Sequence, residues 1–317
     1  MKKVCAIVMA LCLLLAGLCP ALAEDKTYRI GICQLAPHPA LDAATQGFRD
    51  FLTEKLGDRV VFDEQNAAGE AATCMQIMNS FISEDVDLIM ANATASLQAA
   101  QSATGDIPIL GTAVTDYGVA LDLTCVDGKT GVNISGTSDL APLDQQAAMI
   151  KELFPEAKEV GLLYCSSEAN SAYQIEVMTQ ELTKLGFRCT EFAFSDSSDV
   201  TSMTSTACQN SDVIYVPTDN VVATCAEAIR NVAEVDRVPI IAGEEGACAG
   251  CGVATLSISY YELGRITGEM AFEVLTQGAD ISQMAIRYAP TTTKEFNAEM
   301  CEILGVNVPA DYVAIAK

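Results

Sequence analysis

Six times along the chain an aliphatic run closes on a small polar cluster and gives way to a segment with helical period. The runs occupy residues 29–34, 88–94, 107–116, 160–167, 213–220 and 238–246. Between them the apolar positions recur every three or four residues. Leu41, Ala44, Phe48, Phe51 and Leu52 form one face, and Cys74, Ile77, Met78 and Phe81 another. Ile175, Met178, Leu182 and Leu185 form a third, and Leu263, Ile266, Met270 and Val274 a fourth. Such stripes are expected to cover a sheet. Gly57, Gly186 and Gly278 supply helix stops. Short apolar strands alternating with helices predict parallel sheets, in which ligands bind beyond the carboxyl ends of the strands. The polar clusters are therefore where function is expected.

The alternation lapses between residues 123 and 142, a turn-rich stretch with glycines at 128, 131 and 136. Here the chain is expected to cross from one body to a second, with the return at the apolar run 253–259. The fold class is α/β, with two Rossmann-like lobes of parallel sheet and a central cleft. Residues 24–135 plus 257–288 are assigned to lobe 1, and 136–256 plus 289–317 to lobe 2.

The first residues read as an export signal. Lys2 and Lys3 precede an apolar stretch, and Ala21-Leu22-Ala23 offers a cleavage site. A periplasmic, unanchored protein is expected. A lipid anchor at Cys19 is disfavoured because the bulky Leu18 stands immediately before it. The formal net charge of −24 grows more negative once the two leader lysines are removed. No basic surface is then available for nucleic acid or anionic lipid. Hydrophobic residues make up 50% of the chain, ample for real cores without disulfide staples. Most of the ten cysteines beyond the leader are expected to be packing residues. Cys248 and Cys251 are expected in a glycine-rich loop, where they could form a disulfide.

At the strand ends the sequence resembles exported substrate-binding proteins of ABC importers, in the subgroup associated with tryptophan and tyrosine uptake. The resemblance rests on residues 32–42, 112–116, 164–171, 215–220 and 260–265, in order along nearly the whole chain after the leader. It implies a type I periplasmic-binding fold, a small-molecule ligand that is expected to be an amino acid, ABC permease subunits as partners, a monomer, and neither cofactor nor metal.

A zwitterionic ligand needs an anion site and a cation site. The strand-end clusters contain no lysine or arginine, so a carboxylate would be held by hydroxyls and by N–H groups at helix N-termini. Thr94 and Ser96, with Ser166, Ser167 and Asn170 opposite, are the candidates, although Thr94, Ser166 and Ser167 could equally cap their own helices. Asp116, Asp219 and Glu245 are acids without a neighbouring base and could hold an ammonium. Glu244 could replace Glu245 in facing inward. Thr115 and Asn220 accompany these acids. With no tryptophan in the chain, Tyr117, Tyr260 or Tyr261 must provide any stacking, and Tyr261 is taken as the contact. Gln34 and His38 could reach the cleft from the first loop.

Catalysis is disfavoured. His38 is the sole histidine, no Gly-x-Ser-x-Gly elbow accompanies a serine, and one histidine cannot supply a hydrolytic zinc site. A ligand-sensing module, or a site for a sugar or nucleoside, is the alternative within the binding class.

Overall fold

A computed structural model describes residues 26–316; the leader and Cys19 lie outside the described residues. The strands are β1 (Tyr28–Gln34), β2 (Val60–Asn66), β3 (Leu88–Asn92), β4 (Ile109–Val114), β5 (Ile134–Ser138), β6 (Glu159–Cys165), β7 (Arg188–Phe194), β8 (Val213–Val216), β9 (Ile240–Ala242), β10 (Ala254–Ile258), β11 (Arg287–Tyr288), β12 (Thr292–Phe296) and β13 (Val313–Ala314). They form two sheets, ordered β11-β5-β4-β3-β1-β2 and β13-β12-β10-β9-β8-β6-β7. Every pairing is parallel except that of β10 with β12.

The helices are α1 (Pro39–Leu56), α2 (Ala71–Ser83), α3 (Thr94–Ala103), α4 (Tyr117–Leu121), α5 (Leu143–Leu153), α6 (Ala169–Lys184), α7 (Val200–Asn210), α8 (Asn220–Thr224), α9 (Ala226–Asp236), α10 (Glu245–Cys251), α11 (Tyr260–Gln277) and α12 (Ala298–Leu304). Strands covered on both faces read as continuous apolar runs, and β3, β4 and β8 are buried along their full length. The edge strands β2 and β7 alternate instead, because one of their faces is open.

The predicted helical stripes face the sheets. Leu41, Phe48 and Leu52 of α1 are buried against β1, and Leu263 and Met270 of α11 join the same layer. Two glycines let α1 and α11 approach closely. A Cβ at Gly47 would overlap the backbone of Tyr261, and one at Gly264 would overlap the backbone of Ala44.

The chain passes between the sheets three times: after β5, after β10 and between β11 and β12. The first passage lies at 139–142, at the end of the turn-rich stretch 123–142. Ile134 and Ser138 still pair with β4, and Thr137 and Ser138 with β11, so the backbone stays in the first sheet through Ser138. The second follows Ile258, because β10 remains paired with β12 to its last residue.

Residues 245–251 also depart from expectation, since they form α10 and not a loop. The Glu244 carboxylate accepts hydrogen bonds from the first-turn N–H groups of Gly246 (2.6 Å) and Ala247, which nucleates the helix despite its glycines. Cys248 and Cys251 are both buried free thiols in this helix, and Cys251 donates to the Ala247 carbonyl at 3.2 Å.

Candidate ligand-binding cleft

Between the carboxyl ends of the two sheets lies a narrow cleft. The first sheet contributes His38, the start of α1 at Ala40 and Leu41, and the end of β4 at Ala113 and Thr115. Asp139 and Tyr260 stand at two of the crossings, and Asn170, Asp219, Asn220 and Glu244 line the opposite wall.

Local backbone geometry sets several of these groups. The β4–β5 register shifts between Gly111 and Val114, and Ala113 sits in the left-handed region at φ 51°. A bulge of this kind ends strand pairing and re-aims the residues that follow. Thr115 then donates its hydroxyl to Asp139 Oδ1 at 2.9 Å. Tyr260, at the first position of α11, donates to Asp139 Oδ2 at 2.9 Å. Asp139 is 3% exposed, with two neutral donors and no cation. Burial pushes its carboxyl above the ordinary range.

The rest of the cleft is also acidic. Burial raises Glu244 to about 7, and Glu245 and Asp139 add to the effect. Asp219 accepts from the N–H groups of Cys165 (2.7 Å) and Val222 (2.9 Å), and burial raises it as well. Behind the wall, Glu168 is pushed to about 7, first by burial and then by Asp219. It accepts from Asn170 Nδ2 at 3.0 Å, from Asn220 Nδ2 at 2.7 Å, and from the N–H groups of Asn220 and Val221. His38 is pushed the other way, toward the neutral imidazole, chiefly by burial. Among the described residues no lysine or arginine lines the cleft. Buried carboxylates without a base are costly unless a cation arrives.

One end of the cleft offers the complementary charge. His38 precedes α1 in extended conformation, Pro39 occupies the first turn, and no side chain caps the helix. Ala40 and Leu41, whose first-turn N–H groups have no intrahelical partner, face the cleft. A helix of 18 residues with a free N-terminus favours an anion there.

Residues 29–317 match the family described as ABC transporter substrate binding protein. The chain belongs to that family. Over 298 residues, 93% of this chain and 86% of the relative, it is 37% identical to a tyrosine-binding protein of Clostridioides difficile (strain R20291). Among solved structures it is similar to a Streptococcus pneumoniae chain in complex with L-Trp, with 30% identity, a TM-score of 0.86, and 90% of this chain and 97% of that one covered. A ligand-free, open substrate binding protein with adhesive properties from Clostridium difficile is 36% identical, with 92% of this chain and 100% of that one covered, yet its TM-score is 0.71. The fold therefore follows the ligand-bound relative more closely than the open one, against the order of sequence identity. The family is one of substrate-binding proteins and is not enzymatic.

Of the residues singled out from sequence, the fold brings His38, Thr115, Asn170, Asp219 and Asn220 together in the cleft. Others lie elsewhere. The Gln34 amide is used up within its own lobe by Ala36 O, Asp42 and Thr45. Ser96 is fully buried against Cys33, donating to its carbonyl at 2.9 Å, and Thr94 is buried at the start of α3 and does not line the cleft. Asp116 caps α4 through the N–H of Val119 and lines a separate surface groove with Tyr288. Ser166 and Ser167 are exposed and donate to the carbonyls of Phe194 and Ser195. Glu245, the first residue of α10, is exposed, and Tyr261, the second of α11, donates to Asp50; neither lines the cleft.

For both of these neighbour pairs the adjacent residue, Glu244 or Tyr260, takes the inner position. Asp139 escaped sequence reasoning altogether. It sits beyond β5 in the turn-rich crossing and not in a strand-to-helix cluster, and its only sequence signal is an acid at the point where the chain changes sheets.

Proposed function

We propose that this protein captures an amino acid in the interlobe cleft, an aromatic one, and carries it outside the cell to the permease of an ABC importer. The observation that carries the reading is Asp139, a buried carboxylate held by two hydroxyls and awaiting a cation. An α-ammonium there would offset its desolvation, while the ligand carboxylate lies against the N-terminus of α1. The names of the tyrosine-binding relative and of the L-Trp complex support the aromatic class. A ligand bridging both walls stabilises the closed arrangement, and a permease that recognises only that arrangement reads occupancy as shape.

The test is a thermal-shift screen against the twenty amino acids, with sugars and nucleosides as controls, followed by calorimetry on wild type and Asp139→Asn. A ligand at about 100 times its Kd should add about 2.7 kcal/mol of stability. The Asn variant should bind at least ~10-fold more weakly at unchanged circular dichroism, because a charge-assisted contact is lost. Stabilisation by a sugar alone, or full affinity in the variant, would overturn the reading.

A further inference from the structure

A chain of three side chains crosses the cleft. Glu168 of the second lobe immediately precedes α6, and its carboxylate lies 2.7 Å from Asn220 Nδ2. Asn220, the first residue of α8, presents its Oδ1 3.2 Å from His38 Nε2 in the first lobe. His38 Nδ1 is buried with no hydrogen-bond partner, in a side chain 7% exposed that lines the cleft.

The orientation of each member follows from the one before. Glu168 Oε2 already accepts from Asn170 Nδ2 (3.0 Å) and from the Asn220 N–H (3.2 Å), so with Glu168 ionised above pH 7 the amide nitrogen of Asn220 faces it; the flipped amide would set two acceptors 2.7 Å apart. The Asn220 oxygen then faces the imidazole, and an acceptor there requires the proton on Nε2. A neutral imidazole with its proton on Nε2 has a bare lone pair on Nδ1. Pro39 holds the His38 backbone extended, and burial of the side chain to 7% exposure leaves its ring little room to turn away.

We infer that Glu168, acting through Asn220, holds the chain's one histidine as the Nε2–H tautomer, and that His38 Nδ1 is thereby a specificity-determining acceptor for a ligand side chain ending in O–H or N–H. This rests on the amino-acid reading above. With the ammonium assigned to Asp139, the donor for His38 comes from the rest of the ligand. A phenol or an indole supplies one and a phenyl ring does not. Glu168 is a positioning residue, since it contacts His38 only through Asn220.

Because His38 is the sole histidine, a long-range proton–nitrogen spectrum of uniformly ¹⁵N-labelled, untagged protein shows one imidazole. The ligand-free wild type should show the neutral Nε2–H tautomer. Glu168→Ala and Asn220→Ala should each lose that preference at unchanged circular dichroism. Tyrosine or tryptophan should move the Nδ1 resonance toward a hydrogen-bonded position, and phenylalanine should bind at least ~10-fold more weakly than tyrosine, as expected when a buried acceptor is left unpaired. An Nδ1–H tautomer in the wild type overturns the relay without any variant having to fold. Equal affinity for tyrosine and phenylalanine overturns the selection. If no amino acid binds, the functional reading fails on its own, while the tautomer of the ligand-free protein still decides the relay.

Discussion

Gly264 of α11 lies directly against the backbone carbonyl of Ala44 in α1, so closely that a Cβ at Gly264 would overlap its oxygen. Gly47 repeats the contact in the other direction, against the carbonyl of Tyr261. Glycine inside a helix ordinarily costs about 1 kcal/mol relative to alanine. Here the close approach reverses the sign. Gly264→Ala should destabilise the protein by about 1–3 kcal/mol, the usual cost of overpacking, with the midpoint of urea unfolding lowered. Because α11 begins at Tyr260, ligand affinity should fall as well. An alanine variant more stable than wild type would show that α1 and α11 can part at no cost.

The buried acids make ligand-free stability depend on pH. Glu168, Glu244 and Glu295 each stand at about 7, all three raised first by burial. Their folded values lie above the ordinary carboxylate range, so the folded state holds more protons than the unfolded chain between about 4.5 and about 7. Stability contributed by the protonated forms is present at low pH and lost as pH rises through about 7. The Tm of the ligand-free protein should therefore fall between pH 5.5 and pH 8, roughly the window these groups define. Glu244→Gln should flatten that fall while leaving an amide oxygen to cap α10. A Tm that climbs over this range would contradict the assignment.

Bound amino acid should shrink the same pH dependence. An ammonium beside Asp139 removes the cost of ionising a buried carboxylate, whose raised range returns toward normal. Calorimetry in buffers of different ionisation enthalpy should detect proton release on binding near the lower end of the range, and Asp139→Asn should abolish it.

Seven of the ten described cysteines are buried, and Cys125, Cys189 and Cys225 are partly accessible. Native alkylation followed by mass spectrometry should label those three and spare the others, with all ten labelled after denaturation. The thiolate is the reactive form, and burial holds Cys248 and Cys251 well above the ordinary thiol range. A mass short by two hydrogens that maps to Cys248 and Cys251 would show a disulfide where the structure has two thiols.

Sequence alone determined the alternation of strands and helices and the two-lobed class, and pointed to the strand ends as the place to look for a site. Those features follow from periods of apolar burial, which any fold covering both faces of a parallel sheet must satisfy. Thr115, Asn170, Asp219 and Asn220 lie at or just beyond the ends of the apolar runs, and the fold sets all four along the cleft. Which of two adjacent residues faces inward was decided only by tertiary structure. The choices between Glu244 and Glu245, and between Tyr260 and Tyr261, turn on where a helix begins, and a shift of one residue swings a side chain by about 100°. Asp139 and the path from Glu168 through Asn220 to His38 were also invisible along the chain, because their partners lie 24, 121, 52 and 182 positions away. Only the packing of two sheets end to end brings those groups within hydrogen-bond reach, and only burial there lifts the acids above their ordinary range.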